Sequence, residues 1–252
     1  MEFRKVDAGR GAGWYADAWN IFKGQIGMWL LLVIVYLAVA IVLNLIPLIG
    51  GLAFTLISPA LAGGLYLAAR AAEAGSPLDA KMLFQPLMDE RTRGPMLTLG
   101  GVSIAFSIVL MLILVTVMGG SAGTSALLGQ DPEAMQAQMA GAGFAGLLTV
   151  LLLALVFFMA MLYAAPLVLF AGVPPIQALK LSLKAALGNW LPLLVFSLIL
   201  IPLAVLASLP FMLGWLFLMP VIFIAMYASY RDIFGLGQDA TPPASQSAQM
   251  PM

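Results

Sequence analysis

Six apolar runs, each about as long as a bilayer is thick, constrain this chain more than any other feature. They occupy residues 26–46, 51–69, 95–118, 144–172, 190–208 and 211–230. About 20 helical residues, at a rise of about 1.5 Å each, cross a hydrocarbon core. In lipid the backbone of each crossing segment must satisfy its own hydrogen bonds. Composition agrees with that reading: 63% of the 252 residues are hydrophobic and 9% are charged, where a soluble domain carries about 25% charge. Eleven basic and eleven acidic side chains cannot cover a soluble fold of this size. The expected fold is all-α: a polytopic membrane bundle of six transmembrane helices, with cytoplasmic amphipathic helices and parallel internal repeats.

The fourth run is longer than a crossing needs and carries Pro166, so a tilt or a break is expected there. The first run starts late, is too long and lacks a small-residue cleavage site, so it is not expected to be a cleaved signal peptide. Residues 1–234 form one membrane domain on this reading, and residues 235–252, rich in Pro, Gln and Ser, form a disordered cytoplasmic tail.

Orientation follows from the basic residues. Arg4, Lys5, Arg10, Lys23, Arg70, Lys81, Arg91, Arg93, Lys180, Lys184 and Arg231 all fall on the side of the N-terminus when six spans are counted. The opposite side has two tight turns and the loop 119–143, which holds Asp131 and Glu133 but no Lys or Arg. The positive-inside rule then puts both termini in the cytoplasm. In that loop, Asp131-Pro132-Glu133 has the form of a helix start, predicting a short interfacial helix through Met135 and Met139.

Several chemistries lack their side chains. The chain has no Cys and no His, which removes disulfides, thiolate metal sites, cysteine nucleophiles and the commonest general base. Zero net charge argues against nucleic acid as a partner. Within the spans the polar residues are Asn44, Thr, Ser and Tyr, with no Asp, Glu, Lys or Arg to mark an ion path or proton relay. A Gly-rich phosphate loop is also missing. The expectation is a protein that is not an enzyme and carries no cofactor.

Self-similarity supplies a further signal. An offset of 161 residues pairs Lys23 with Lys184, Gly27 with Gly188, Trp29 with Trp190, Pro59 with Pro220, Tyr66 with Tyr227 and Arg70 with Arg231, without a gap. Matches among leucines are cheap, but matches among Lys, Gly, Trp, Pro, Tyr and Arg are not. The first and last hairpins therefore read as copies, and the middle hairpin is the candidate for a third, more diverged one. The units cover about 13–72, 78–172 and 174–234. An even number of spans per unit makes the repeats parallel about the membrane normal.

Each recurring residue admits a structural and a functional reading. Trp14, Ala18, Phe22 and Ile26 recur at fours opposite Asp17, Asn20 and Lys23, and a stretch over 79–89 precedes the middle hairpin. In the last unit, Ile176, Leu179, Leu183 and Leu187 stand opposite Lys180 and Lys184. Such helices lie in the cytoplasmic interface, apolar face down, as a collar for the bundle or as a lipid- or partner-docking surface. Trp29 and Trp190 begin their spans where an indole sits well, N–H in water and ring in lipid. Arg70 and Arg231 end theirs, with Tyr66 and Tyr227 one turn below. They are paired anchors or, jointly, a cradle for a phosphate-bearing headgroup. Pro59, Pro166 and Pro220 interrupt second helices and free the carbonyls of Thr55, Leu162 and Leu216. Those are kinks that shape the bundle, or polar spots beside Tyr163 in a central cavity. Ala60, Gly64 and Ala68 give the second helix a close-packing stripe.

The Gly188-Asn189-Trp190-Leu191-Pro192 start of the fifth span, Pro47–Gly50 in the first turn and the ending Tyr227-Ala-Ser-Tyr-Arg-Asp-Ile-Phe234 carry a resemblance. Up to Phe234 the chain resembles an uncharacterised family of bacterial, mostly proteobacterial, inner-membrane proteins. It is distantly similar to the membrane region attached to some glycerophosphodiester phosphodiesterases, without a counterpart of their catalytic acid/histidine apparatus. The resemblance implies an inner-membrane location and brings no catalytic residue with it. The functional expectation is a non-enzymatic module that binds membrane lipids, anionic phospholipid included, or a membrane-protein partner or second copy. The alternative is a transporter or channel for a small neutral or amphiphilic solute.

Overall fold

Two of the long helices are wrapped by the others. The computed structural model describes residues 2–47, 49–117 and 143–235. Its elements are α1 (Arg10–Phe22), α2 (Ile26–Asn44), α3 (Ile49–Glu73), a 3-10 turn (Ala80–Leu83), α4 (Gln85–Met88) and α5 (Glu90–Val117), followed by α6 (Gly143–Leu162), α7 (Ala164–Ala171), α8 (Pro175–Gly188), α9 (Trp190–Ser208) and α10 (Trp215–Phe234). No strand occurs among the described residues. Six helical segments are long and apolar enough to cross a membrane, α6 and α7 together making one of them. The chain is an all-α, multi-pass membrane protein. The helix expected through Met135 and Met139, and the tail beyond residue 235, lie outside the described residues.

In α3 and α10, 44% and 56% of the crossing window is buried, against 11% to 17% in the other four spans. The sequence accounts for this difference. Ala60, Gly64 and Ala68 of α3, and Ala225, Ala228 and Ser229 of α10, are buried small residues that let neighbouring backbones approach. On α5, a Cβ added at Gly100 would overlap the Leu56 carbonyl of α3, so those two helices touch at backbone distance. By contrast α2 and α9 are apolar all round. They leave Ile34, Ile41, Leu198, Ile201 and Val205 exposed, which suits a lipid-facing helix.

The fourth span breaks. Its helix stops at Leu162, Tyr163 takes φ −112° and ψ 3°, and α7 restarts with Pro166 in its first turn. Ser182 of α8 fills the gap: its hydroxyl donates to the Met159 carbonyl at 2.8 Å and accepts from the Tyr163 N–H at 2.9 Å. A side chain thus stands where the i to i−4 bond would be, an identifiable cause of a kink. Pro59 and Pro220 lie inside continuous helices. The carbonyl freed at Thr55 accepts from the Ser58 hydroxyl at 3.1 Å. Pro95 in α5 and Pro202 in α9 are also helix-interior, so this feature is not confined to the second helix of each hairpin.

The three surface segments depart from the interfacial arrangement that the sequence predicts. The apolar face of α1 does carry Trp14, Ala18 and Phe22, but it packs on α9 and α10 rather than on lipid. Polar partners waiting on those helices, described below, fix it there. A Cβ at Gly11 would overlap the Pro192 carbonyl, so α1 lies hard against the start of α9. The stretch 79–89 is a 3-10 turn and a single helical turn, not an amphipathic helix. Pro86 sits in the first turn of α4, Asp89 ends it in an extended conformation, and Leu83 and Pro86 are buried beside α3. In α8 the face turned to the bundle is Ala178, Ser182 and Ala185, while Ile176 and Leu187 are exposed and Leu179 and Leu183 half-buried. Small residues make the closer helix–helix contact, so they take the protein side, with Leu179 at its edge and Ile176 and Leu187 outward.

Candidate functional site

Both ends of the described chain meet at one end of the bundle. The Arg4 N–H donates to the Ile233 carbonyl at 2.9 Å, the Val6 N–H to Asn189 Oδ1 at 2.9 Å, and Asn189 Nδ2 to the Arg4 carbonyl at 3.1 Å. Asn189, at the junction of α8 and α9, is buried and spends its amide on this strap rather than on capping α9. Gln25, at the start of α2, similarly ties down the chain leaving α3, donating to Ser76 at 2.8 Å and accepting from the Leu78 N–H at 2.9 Å.

Here the last turn of α10 holds an ion cluster. Oδ2 of Asp232 receives Arg10 Nε at 2.7 Å, Arg10 Nη2 at 2.5 Å and the indole N–H of Trp14 at 3.0 Å. Arg10 Nη2 also reaches Asp17 at 2.7 Å. Arg231 pairs with Glu73 at the end of α3, and the Tyr227 hydroxyl donates to the other Glu73 oxygen at 2.9 Å. Burial disfavours the Arg10 charge, but the hydrogen bonds to Asp17 and Asp232 outweigh that and hold its pKa above the usual arginine value. On the same helix, burial raises the Tyr15 phenol, whose O–H donates to the Phe196 carbonyl at 2.9 Å and whose ring stacks on Phe196 at 4.7 Å.

Beside the cluster, the ends of α3, α7 and α10 enclose a recess of about 90 Å³ lined by Arg70, Phe170, Tyr227, Tyr230 and Arg231. The Arg70 guanidinium lies 5.3 Å from the centre of the Phe170 ring. It is exposed and has no carboxylate within ion-pair distance among the described residues. Tyr230 is fully buried, and its hydroxyl has no hydrogen-bond partner among them. Farther along, Lys180 and Lys184 stand exposed on α8 beside a shallow groove of about 540 Å³ that runs past Gly172, Pro174 and Gln177.

The paired residues of the sequence therefore part company. Arg70 and Arg231 do converge, and Tyr227 lines the same recess. Tyr66 does not line it; its ring packs edge-on against Phe223 at 5.9 Å. Trp190 is 54% exposed, as an interfacial indole should be, but Trp29 is wholly buried and its N–H has no partner among the described residues, so it is not a wet anchor. Phe170, Tyr230, Asp232 and Glu73 were missing from the sequence-derived set. Three of them are polar or aromatic residues within two turns of Arg70 or Arg231, and that proximity was the available signal. Phe170 comes from another span and left no such trace. No family model matches the chain, and no curated protein or solved structure matches it.

Proposed function

We propose that the protein is a non-enzymatic module of a bacterial inner membrane that engages anionic lipids, or a membrane-protein partner, through its basic end, with both termini cytoplasmic. The observation that carries this reading is the surface of α8. Lys180 and Lys184 are exposed next to the exposed Ile176 and Leu187, the pairing of apolar area and positive charge that an anionic leaflet attracts. The one-sided distribution of basic residues supports the cytoplasmic assignment, and the Tyr227–Phe234 ending supports membership of the inner-membrane family it resembles. Helices α3 and α10 end at Glu73 and Phe234, the same 161-residue offset that pairs the sequence, which supports a duplication.

The competing transport reading asks Tyr66, Tyr163 and Tyr227 to face a polar path. Ring packing around Tyr66, the Tyr163 bond to buried Ser229 at 3.2 Å and the Tyr227 bond to Glu73 favour interior roles instead. The test is native mass spectrometry of the full chain from nanodiscs containing phosphatidylglycerol in a phosphatidylcholine background. Retention of phosphatidylglycerol at defined stoichiometry is expected, and Lys180→Gln/Lys184→Gln should remove most of it. Equal retention of the two lipids, or no effect of the double variant, would sink the lysine surface.

A further inference from the structure

The recess at Arg70 holds a combination that the ion cluster does not explain: an arginine without a carboxylate, an aromatic ring beneath it, and a buried hydroxyl without a partner. We propose that this recess binds a single phosphate group, from a phosphomonoester lipid headgroup or from free phosphate. Arg70 is the principal cation, Phe170 the platform that orients the guanidinium, and Tyr230 a wall of the recess whose unpaired hydroxyl, closed to solvent here, becomes a neutral donor when its side chain shifts toward the bound phosphate.

The chemistry supports each role. Guanidinium is a planar fork that meets phosphate oxygens bidentately, and stacking on a ring pre-organises it. A buried hydroxyl left unpaired is costly, and in a native protein it asks for an explanation such as a ligand. At about 90 Å³ the recess exceeds the roughly 10–15 Å³ that holds one water, yet it is a sixth of the groove beside the lysines. That size admits one phosphate and excludes a bulky headgroup. Arg231 lines the same space but is paired with Glu73 and lies within 4 Å of Asp17 and Asp232, so its charge is answered inside the protein and Arg70 carries the contact. The recess lies at the ends of crossing helices, the depth of a headgroup phosphate. The inference deepens the anionic-lipid reading and rests on it for the lipid source.

The experiment uses the full chain in phosphatidylcholine nanodiscs with two probes, inorganic phosphate by calorimetric titration and a few percent of dioleoyl phosphatidic acid by native mass spectrometry. One equivalent of at least one probe is expected to bind. Binding of phosphatidate alone assigns the lipid, binding of inorganic phosphate alone the free ion, and binding of both the shared phosphate chemistry. Arg70→Gln should weaken it by about tenfold or more, and Arg70→Lys should restore only part. Tyr230→Phe is the discriminating variant. It should weaken binding several-fold while leaving the unfolding midpoint unchanged or raised, because it deletes an unpaired buried hydroxyl; a purely structural tyrosine would not separate the two readouts. Failure of both probes to bind, or binding that Arg70→Gln leaves intact, overturns the proposal. Lys180→Gln/Lys184→Gln should leave recess binding untouched, so loss of phosphatidylglycerol retention and loss of phosphate binding report on separate surfaces.

Discussion

Ser182→Ala is expected to destabilise the protein by about 2 kcal/mol, and the reason lies in a single oxygen serving two backbone groups. The hydroxyl donates to the Met159 carbonyl and accepts from the Tyr163 N–H, and Ser182 is fully buried. Alanine leaves both groups without that partner in a setting with no water to replace it. An orphaned buried polar group costs about 1–3 kcal/mol in general, while hydrogen bonds inside membrane proteins average nearer 0.6 kcal/mol and reach about 1.7. Two groups at about 1 kcal/mol each sit between those limits.

One escape would shrink the number: the helix could straighten and let Tyr163 N–H bond Met159 directly. Pro166 opposes this because it cannot donate and crowds the carbonyl four residues earlier, at Leu162. Reversible unfolding in mixed detergent micelles, followed by the emission of the five tryptophans, measures the effect. In a Pro166→Ala background the ladder can close, so the same serine change should cost at least about 0.5 kcal/mol less. A loss below about 0.5 kcal/mol in the native background, or full additivity with Pro166→Ala, would refute the idea that serine holds the break.

Two further outcomes follow from the collar. Asp232→Ala removes the acceptor shared by Arg10 and the buried Trp14 indole. A loss of about 3 kcal/mol is expected from charge-assisted bonds and an orphaned N–H, discounted because the Arg10 side chain is 38% exposed; Asp232→Asn should cost about half as much, by the same unfolding assay. Tyr15 has a phenol raised by burial above its ordinary 10.0, so its contribution is complete below about pH 10 and is lost as pH rises beyond it. Tyr15→Phe should therefore flatten the alkaline limb of a stability-versus-pH curve, and an unchanged limb would show that the phenol is not buried against Phe196.

What could be read from the residues depended on whether one segment sufficed. Spans were legible because length and hydropathy are local properties. The break near Pro166 was legible only in part: proline frees a carbonyl on its own helix, but Pro59 and Pro220 do so inside continuous helices, and what holds the break is Ser182 of α8. Which face of a surface helix is buried was not, since that depends on what it meets. Ile176, Leu179, Leu183 and Leu187 form the more apolar face of α8, yet Ala178, Ser182 and Ala185 make the contact, for the reason that α6 comes close enough only over small side chains. Likewise Asp17 reads as solvated from α1 alone; it pairs with Arg10 two turns earlier on that helix at 2.7 Å, and Arg231, at 3.6 Å, arrives from the far end of the chain.

The recess shows how two similar helix ends come to differ. Arg70 and Arg231 stand 161 positions apart with tyrosine one turn before each. After Arg231 the next residue is Asp232, which draws in Arg10 and Trp14 and so fastens α1 across α10. After Arg70 the next residue is Ala71, which can fasten nothing. Glu73, three residues past Arg70, turns to Arg231 and Tyr227 of the other helix. The end of α10 thus satisfies its charges within the protein, while the end of α3 gives its carboxylate away and keeps its cation. An arginine left in that state, stacked on Phe170 beside an unpaired Tyr230 hydroxyl, is better suited to an anion from outside than to holding the bundle together. Asp17→Asn tests this division. It removes a partner of Arg10 and Arg231, so it should loosen α1 toward proteolysis, and it should leave phosphate binding at Arg70 within about twofold of the parent.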